Sequence, residues 1–315
     1  RKPVFSFGIV NMQDLETLNR LFAKEAKVCF VEGQTGMPII EVSTKKASAT
    51  IALYGGQILS YKSNGMEHDL FYLSDKAIYQ QGKAIRGGVP VCWPWFGEDP
   101  SNLGRQAHGF ARNLLWNVLD CQLHDDIAEI TLGLESTATS KQWWPSEFRL
   151  RKKIVIGDQL DISLTTENRG EIPFSISKAL HTYFLVGEIS QTTVVGLDGV
   201  DYLDKTLDFS KHTQVGDITP FAETDRVYLE SPAHVQIIDQ SLSRKIDIEQ
   251  SGADNIVVWN PWTRASLLND MDADDYGHFI CVETANALAN SVIIAPGASH
   301  QMQVKYNVSS TASSP

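Results

Sequence analysis

The chain has 315 residues, of which 43% are hydrophobic and 21% charged, and 27 basic against 38 acidic residues give a net charge of −11. The composition is that of a globular protein, and the acidic balance argues against nucleic acid or an anionic membrane as a partner, because both need a basic face. A small anionic ligand remains compatible with it, because a few local arginines can hold a phosphate whatever the total charge.

The cysteines and the N-terminal segment indicate where the protein works. The cysteines are far apart and form no CxxC pair, so neither a zinc site nor a redox dithiol is suggested. The opening stretch "RKPVFSFGIVNMQDLETL" lacks the features of a secretion signal, and no apolar run approaches the length of a membrane span. We therefore expect a cytoplasmic protein with free thiols. The four cysteines are Cys29, Cys92, Cys121 and Cys281.

The first predicted element is a short amphipathic helix near residues 12–25, "MQDLETLNRLFAKE". Leu15, Leu18, Leu21 and Phe22 recur there at helical spacing, so they would form one apolar face.

Beyond the helix, apolar and polar residues alternate along several stretches. Period-two alternation indicates strands with one buried face, which is typical of antiparallel sheets. In one stretch Lys152 interrupts the apolar side, and Gly157-Asp158 then forms a hairpin signal. The alternating stretches are 129–136, 148–157, 159–168 and 300–308.

This pattern predicts one large, mainly β protein, an antiparallel β-sandwich over residues 1–308, followed by a flexible tail at 309–315. We find no βαβ rhythm, no GxGxxG and no P-loop, so a nucleotide-binding α/β fold is not indicated.

The segment 84–100, "AIRGGVPVCWPWFGEDP", is the first of four that break the alternation. Paired glycines permit a sharp turn or a close approach to a ligand. Arg86 precedes them and Trp95 follows, and an aromatic face beside an arginine suits a sugar that carries an anionic group. A structural turn packed under tryptophans would give the same pattern.

Two further segments each place a histidine among apolar residues. "AHGFARN" (107–113) carries His108 and Arg112, and "SISKALHTYFLVG" (175–187) carries His181. Such a histidine is either hydrogen-bonded within the fold or an acid–base group held on a rigid support.

The fourth segment, "GHFICVETAN", places Glu283 at the end of the apolar strand "FICV", where a carboxylate needs water, a partner or a function. Asp225 in "TDRVY" and Trp259 in "VVWNPW" could line the same pocket, or could belong to ordinary turns. The histidine spacing gives no metal signature, and no nucleophile motif stands out. This residue set is suited to proton transfer on a sugar without a cofactor.

Taken in order, "IRGGVPVCWPWFG", "HGFARN", "LHTYF", "TDRVY", "VVWNPW" and "CVET" resemble the aldose 1-epimerase (mutarotase) superfamily. They look most like its hexose-6-phosphate mutarotase branch, also described as glucose-6-phosphate 1-epimerases. The resemblance implies a large antiparallel supersandwich with a cleft on one sheet. It also implies the interconversion of the α and β anomers of a hexose 6-phosphate, with no metal or other cofactor.

The resemblance further implies a role for each matched residue. His181 would be the general acid and Glu283 the general base. The substrate would be bound by the remaining matched residues, with the two tryptophans as further candidates: Arg86, His108, Arg112, Asp225, Trp95 and Trp259. Arginine binds a dianion through two parallel hydrogen bonds, so the two arginines favour a phosphosugar substrate.

A non-catalytic carbohydrate-binding or sugar-sensing module on the same fold is the alternative, because a fold alone does not fix a function. The presence of both His181 and Glu283 favours the enzyme, since a binding protein needs no matched acid and base. We expect a monomer.

Overall fold

The computed structural model describes residues 14–230 and 232–311, which fold mainly into strands. Every pairing between the strands named below is antiparallel. The strands are β1 (Val28–Glu32), β2 (Pro38–Ser43), β3 (Ala47–Ala52), β4 (Gln57–Ser63), β5 (Val91–Cys92), β6 (Asn117–His124), β7 (Ile127–Glu135), β8 (Phe148–Ile156), β9 (Leu160–Asn168), β10 (Phe174–Ile176), β11 (Lys178–Leu180), β12 (Tyr183–Leu185), β13 (Thr192–Val195), β14 (Asp201–Asp204), β15 (Ser210–Thr213), β16 (Thr224–Tyr228), β17 (His234–Asp239), β18 (Arg244–Ser251), β19 (Asn255–Asn260), β20 (Phe279–Asn286), β21 (Val292–Ile294) and β22 (Ser299–Ser310).

Two eight-stranded sheets form the body of the protein. The site sheet runs in the order β15-β14-β16-β19-β20-β11-β5, with β12 also paired to β20. The back sheet runs β13-β17-β18-β22-β9-β8-β7-β6. A four-stranded sheet, β1 to β4, and the pair β10-β21 complete the strand pairings.

The helices are short. The helix α1 (Leu15–Phe22) lies within the predicted stretch 12–25, whose first two residues are outside the described part of the chain. The side chain of Asp14 caps it by accepting a hydrogen bond from the Thr17 N–H at 2.7 Å. The second helix is α2 (Ala138–Trp143). Neither is long enough to cross a membrane, and no other described helix is both long and apolar enough to do so.

The alternating stretches form β7, β8, β9 and β22, so the predicted antiparallel strands are confirmed. The Gly157-Asp158 turn joins β8 to β9 as a hairpin. Lys152, which interrupts the apolar side of β8, does point inward, and its ammonium donates to the carbonyl of Gly56 at 3.1 Å.

The core lies between the two large sheets. Hydrogen bonds cross it from Trp93 to Thr166 at 3.0 Å and between Thr182 and Tyr306 at 2.7 Å. Alternate residues of β20, such as Val282, face this core, and the residues between them face the other side of the site sheet. That outer face is where Glu283 lies.

The C-terminal strand is longer than predicted. Ser309 and Ser310, which the composition assigned to the flexible tail, continue β22 because they pair with Lys245 and Arg244 of β18. Residues 312–315 of the predicted tail are outside the described residues.

Candidate active site

The backbone at 87–90 positions His181. His181 follows β11, and its N–H donates to the carbonyl of Pro90 at 3.0 Å, while the Tyr183 N–H donates to that of Gly88 at 2.9 Å. Gly88 has a φ of +60°, and a Cβ there would lie 2.1 Å from the carbonyl oxygen of Ile58. Glycine is therefore required for the close approach that holds the histidine segment.

Glu283 lies in the middle of β20, opposite Val257 of β19, and not at the end of the strand as predicted, because β20 continues to Asn286. Its Oε1 is 3.4 Å from His181 Nε2, and the glutamate is 2% exposed. Glu283 Oε2 and His181 Nδ1 are both buried and have no hydrogen-bond partner among the described residues. A buried polar atom without a partner is costly, so both atoms are available to a bound ligand.

Burial shifts both groups towards their neutral forms. It lowers the pKa of His181 well below 6.5, and the nearby His108, Arg112 and Arg86 lower it further. It raises the pKa of Glu283 well above 4.5, and the carboxylate of Asp225 adds to that rise. Opposite shifts in adjacent groups are typical of acid–base sites.

His108 stands edge-on to His181, with 5.8 Å between the ring centroids. Its Nδ1 accepts from the Gly97 N–H at 3.3 Å, which leaves the Nε2–H as a donor. Burial and the charge of Arg112 lower the pKa of His108 to about 3, so the ring is neutral at neutral pH.

A cleft of about 210 Å³ is lined by Tyr183, whose ring stacks on that of His181, while neither His181 nor Glu283 is among the described residues that line it. Arg112 reaches it, with one guanidinium nitrogen donating to the carbonyl of Ala107 at 2.9 Å and a buried Nε that has no partner among the described residues. Arg86 also lines it, and its guanidinium is bound to Asp270 and Tyr183. The lining residues are Ile78, Lys83, Ala84, Ile85, Arg86, Pro90, Arg112, Tyr183, Asn269 and Asp270.

Asp225 and Trp259 face the same side of the site sheet, directly opposite each other on β16 and β19. Asp225 accepts from the ammonium of Lys205 at 2.8 Å. Trp259 stands edge-on to His181, with ring centroids 5.8 Å apart. Both therefore lie next to the His181–Glu283 pair.

Trp95 does not lie next to the His181–Glu283 pair, so the expectation that it lines the sugar site is wrong. It is 4% exposed, its indole N–H donates to the carbonyl of Gln106 at 3.1 Å, and the guanidinium of Arg105 covers its ring at 4.1 Å. No face of the indole is free for a sugar, and the ring instead supports the segment that leads to His108.

Four residues of the site were not among the predicted ones: Lys83, Tyr183, Lys205 and Asp270. The ring of Tyr183 stacks on that of His181 at 4.9 Å, and the i, i+2 spacing of the pair in "LHTYF" was a signal for this. The other three are charged residues in polar stretches with no local signal. In the described part of the chain, no three His, Cys, Asp or Glu side chains converge as metal ligands would.

Comparison with known proteins places this site in a family. The family model described as aldose 1-epimerase matches residues 38–307. A protein of Escherichia coli K12 named "Putative glucose-6-phosphate 1-epimerase" is 38% identical over 269 residues, which are 85% of this chain and 89% of that protein.

Solved structures show the same fold. The crystal structure of a "putative mutarotase" (YeaD) of Salmonella typhimurium superposes with a TM-score of 0.86 and 32% identity, over 92% of this chain and 96% of that one. A galactose mutarotase-like protein of Clostridium acetobutylicum shares the fold with a TM-score of 0.73 at 14% identity, over 90% and 98% of the two chains. The predicted antiparallel supersandwich is confirmed, and the chain belongs to the aldose 1-epimerase family.

Proposed function

We propose that this protein interconverts the α and β anomers of a hexose 6-phosphate, with glucose 6-phosphate as the first substrate to test. The observation that carries the proposal is the His181–Glu283 pair, two buried titratable groups 3.4 Å apart. A module that only bound sugar would gain nothing from such a pair, because two buried titratable groups cost stability.

In this mechanism Glu283 removes the proton from the anomeric hydroxyl while His181 donates a proton to the ring oxygen. The bond between C1 and the ring oxygen breaks, and C1 becomes an aldehyde. Rotation about C1–C2 presents the other carbonyl face, and the reverse proton transfers close the ring as the other anomer. Nothing is oxidised or hydrolysed, so the steps balance without a co-reactant. Each positioned group contributes roughly 10²–10⁴-fold.

The protonation state follows from the pair as a unit. The reaction needs protonated His181 and ionised Glu283, whereas burial favours the two neutral forms. Both arrangements hold one proton in total, so moving that proton across 3.4 Å converts the resting pair into the reactive one. A polar sugar in the cleft would favour the reactive form by solvating its charges.

The same cleft supports a phosphorylated substrate. Lys83 and Arg112 line it, and Arg86 adds a third cation against the single carboxylate of Asp270. This arrangement leaves a net positive charge that suits a phosphate dianion. The sugar hydroxyls would meet His108, Asp225 and the edge of Trp259, and the relatives named as glucose-6-phosphate 1-epimerases support this substrate.

Anomer exchange measured by magnetisation-transfer NMR tests the proposal. Wild type is compared on glucose 6-phosphate and on free glucose, in a buffer without phosphate, because phosphate catalyses the same exchange. We expect acceleration above the spontaneous rate, with kcat/KM at least tenfold higher for glucose 6-phosphate. We expect His181→Gln to lose this acceleration. The control is His234→Gln, which replaces an exposed histidine on β17 of the back sheet and should leave the rate unchanged.

An equal kcat/KM for glucose 6-phosphate and for free glucose would contradict the proposal that the substrate is a phosphosugar. No acceleration on either sugar by folded protein would favour the non-catalytic sugar-binding module.

A further inference from the structure

Arg86 is held on two sides by residues distant in sequence. Its Nε and Nη2 each bond one oxygen of Asp270 at 3.1 Å, and its Nη1 donates to the hydroxyl of Tyr183 at 2.9 Å. The nitrogens that fork onto Asp270 are those that would grip a phosphate through two parallel bonds. Arg86 is therefore already engaged before any substrate arrives.

The position of Asp270 is fixed by the segments on either side of it and by its buried neighbour. It lies between the short 3-10 segments Trp262–Leu267 and Asp275–His278, and its side chain is 13% exposed. Its neighbour Met271 is buried in a cluster that includes Tyr183. Among the described residues that line the cleft, Asp270 is also the only acid, so its charge opposes the binding of an anion there.

The contacts continue from Arg86 to the reacting histidine. Tyr183 receives the Arg86 hydrogen bond on its hydroxyl, and its ring lies nearly parallel to that of His181, at 13° and 4.9 Å. Asp270 thus connects to His181 through Arg86 and Tyr183 without touching it.

We propose that Asp270 is a positioning residue that holds Arg86 on Tyr183, so that the tyrosine ring fixes His181, and that it reserves phosphate binding for Lys83 and Arg112. This inference rests on the proposed function for its substrate. It gives Arg86 a different task from the one that the family resemblance implied, since the guanidinium orients the acid instead of gripping the phosphate.

The charges around His181 lead to a second consequence. The charges of Arg86 and Arg112 lower the pKa of His181, and the carboxyl group of Glu283 lies 3.4 Å from its Nε2. Asp270 partly neutralises Arg86, so removing the Asp270 charge would leave the guanidinium to oppose protonation of His181 more strongly.

The test is Asp270→Asn, which keeps the side-chain shape and removes its charge. We expect kcat to fall about tenfold, because His181 is less well oriented. We expect KM for glucose 6-phosphate to fall, because Arg86 becomes free to bind the phosphate. With free glucose, kcat should fall to the same extent and KM should stay unchanged. The control is Asp272→Asn on the same segment, whose partner is the exposed Lys76 and which should change neither constant.

A readout without substrate separates this inference from the proposed function. Titration of the His181 ring followed by ¹⁵N NMR, with the signal assigned from His181→Gln, should show its pKa about 0.5 unit lower in Asp270→Asn than in wild type. If wild type fails to exchange anomers, the proposed function fails while this titration still tests the link from Asp270 to His181.

Unchanged kcat and unchanged His181 titration in Asp270→Asn would overturn the inference. A raised KM with wild-type kcat would overturn it too, because Asp270 would then be supporting a substrate-binding Arg86. If Asp270→Asn does not fold, Tyr183→Phe replaces it: this variant keeps the stacking ring and loses the Arg86 contact, so kcat should fall several-fold with KM unchanged. Wild-type kcat in Tyr183→Phe would contradict the proposal.

Discussion

Lys178 and His181 stand three residues apart in "SISKALHTYF", both are buried, and they lie on opposite sides of the site sheet. The ammonium of Lys178 faces the back sheet and donates to the carbonyl oxygens of Leu164 and His300, each at 3.5 Å. His181 stacks on Tyr183, which lines the cleft, and has Glu283 as its partner.

Burial is the largest cause of the pKa shift in both groups, so a shifted pKa does not distinguish a site from a core. It lowers the pKa of Lys178 to about 7, and it lowers the pKa of His181 well below its usual value. The difference lies in the neighbours. The carbonyl acceptors around Lys178 can take no proton, whereas the carboxyl group of Glu283 beside His181 can, and Tyr183 connects His181 to the cleft. We infer that a buried titratable group can act in catalysis when a second titratable group and a cleft for a ligand lie close to it.

The sharpest contrast is between Glu283→Gln and Lys178→Met. Removing the base should lower kcat/KM for anomer exchange by about 10³-fold, within the range of general-base catalysis. Removing the lysine should leave kcat/KM within about twofold and make the fold more stable, because replacing a buried charge by an apolar group is often stabilising. Exchange kinetics and urea unfolding of both variants check this, and a large activity loss in Lys178→Met would break the comparison.

The pH dependence of kcat should show the two limits of the one-proton pair. The pair gains a second proton as pH falls through the lowered pKa of His181, and loses its proton as pH rises through the raised pKa of Glu283. The lowered pKa of His181 and the raised pKa of Glu283 widen the pH range in which the pair holds one proton. The kcat value should therefore stay constant as pH falls through 6.5, the usual pKa of histidine. Outside this range it should fall about tenfold per pH unit.

Saturating substrate is used for this profile, because the phosphate of the substrate itself titrates near pH ~6. A single limb centred at the ordinary histidine pKa would contradict a coupled pair.

Lys83 offers a smaller effect that is confined to the phosphate. Its ammonium lines the cleft, and Lys83→Met should raise KM for glucose 6-phosphate about tenfold, because one charge-assisted hydrogen bond is lost. The kcat value, and both constants for free glucose, should stay unchanged. Lys62→Met, on β4 and outside the residues that line the cleft, is the matched control. An equal rise in KM for free glucose would show that Lys83 acts on the sugar ring.

The last prediction concerns stability, not activity. In the folded chain the pKa of Lys178 is about 7, against 10.5 ordinarily, so between these values the unfolded chain holds more protons at this lysine. The free energy of unfolding should therefore rise with pH across this window, by at most about 1.4 kcal/mol per pH unit for one lysine. Urea unfolding at several pH values should show a shallower rise in Lys178→Met, and an equal slope would contradict a depressed pKa.

The strands could be predicted because successive side chains of a strand point to opposite faces of the sheet, and one of those faces is buried. Along β9 every second residue is buried against the site sheet, so hydrophobic alternation records the fold directly. Lys152 shows the limit of that rule, since its long side chain occupies an apolar position while its ammonium reaches a carbonyl.

The candidate site was only partly accessible from sequence. His181 and Glu283 stand out because a polar residue in an apolar strand is unusual, whereas Asp270 meets Arg86 across 184 residues of sequence. No local pattern encodes such a contact, because the chain path between them is set by the whole sheet. Trp95 shows the opposite error: an aromatic in a suggestive motif proved to be packed under Arg105.

The central claim is that His181 and Glu283 work as one proton-transferring unit. It is tested most directly by the anomer-exchange rate of glucose 6-phosphate with wild type, His181→Gln, Glu283→Gln and the double variant. We predict that each single change removes most of the acceleration and that the double variant is slower than either by no more than about threefold, because residues that act together are not additive. Single variants that exchange at the wild-type rate, or losses that multiply in the double variant, would contradict the account.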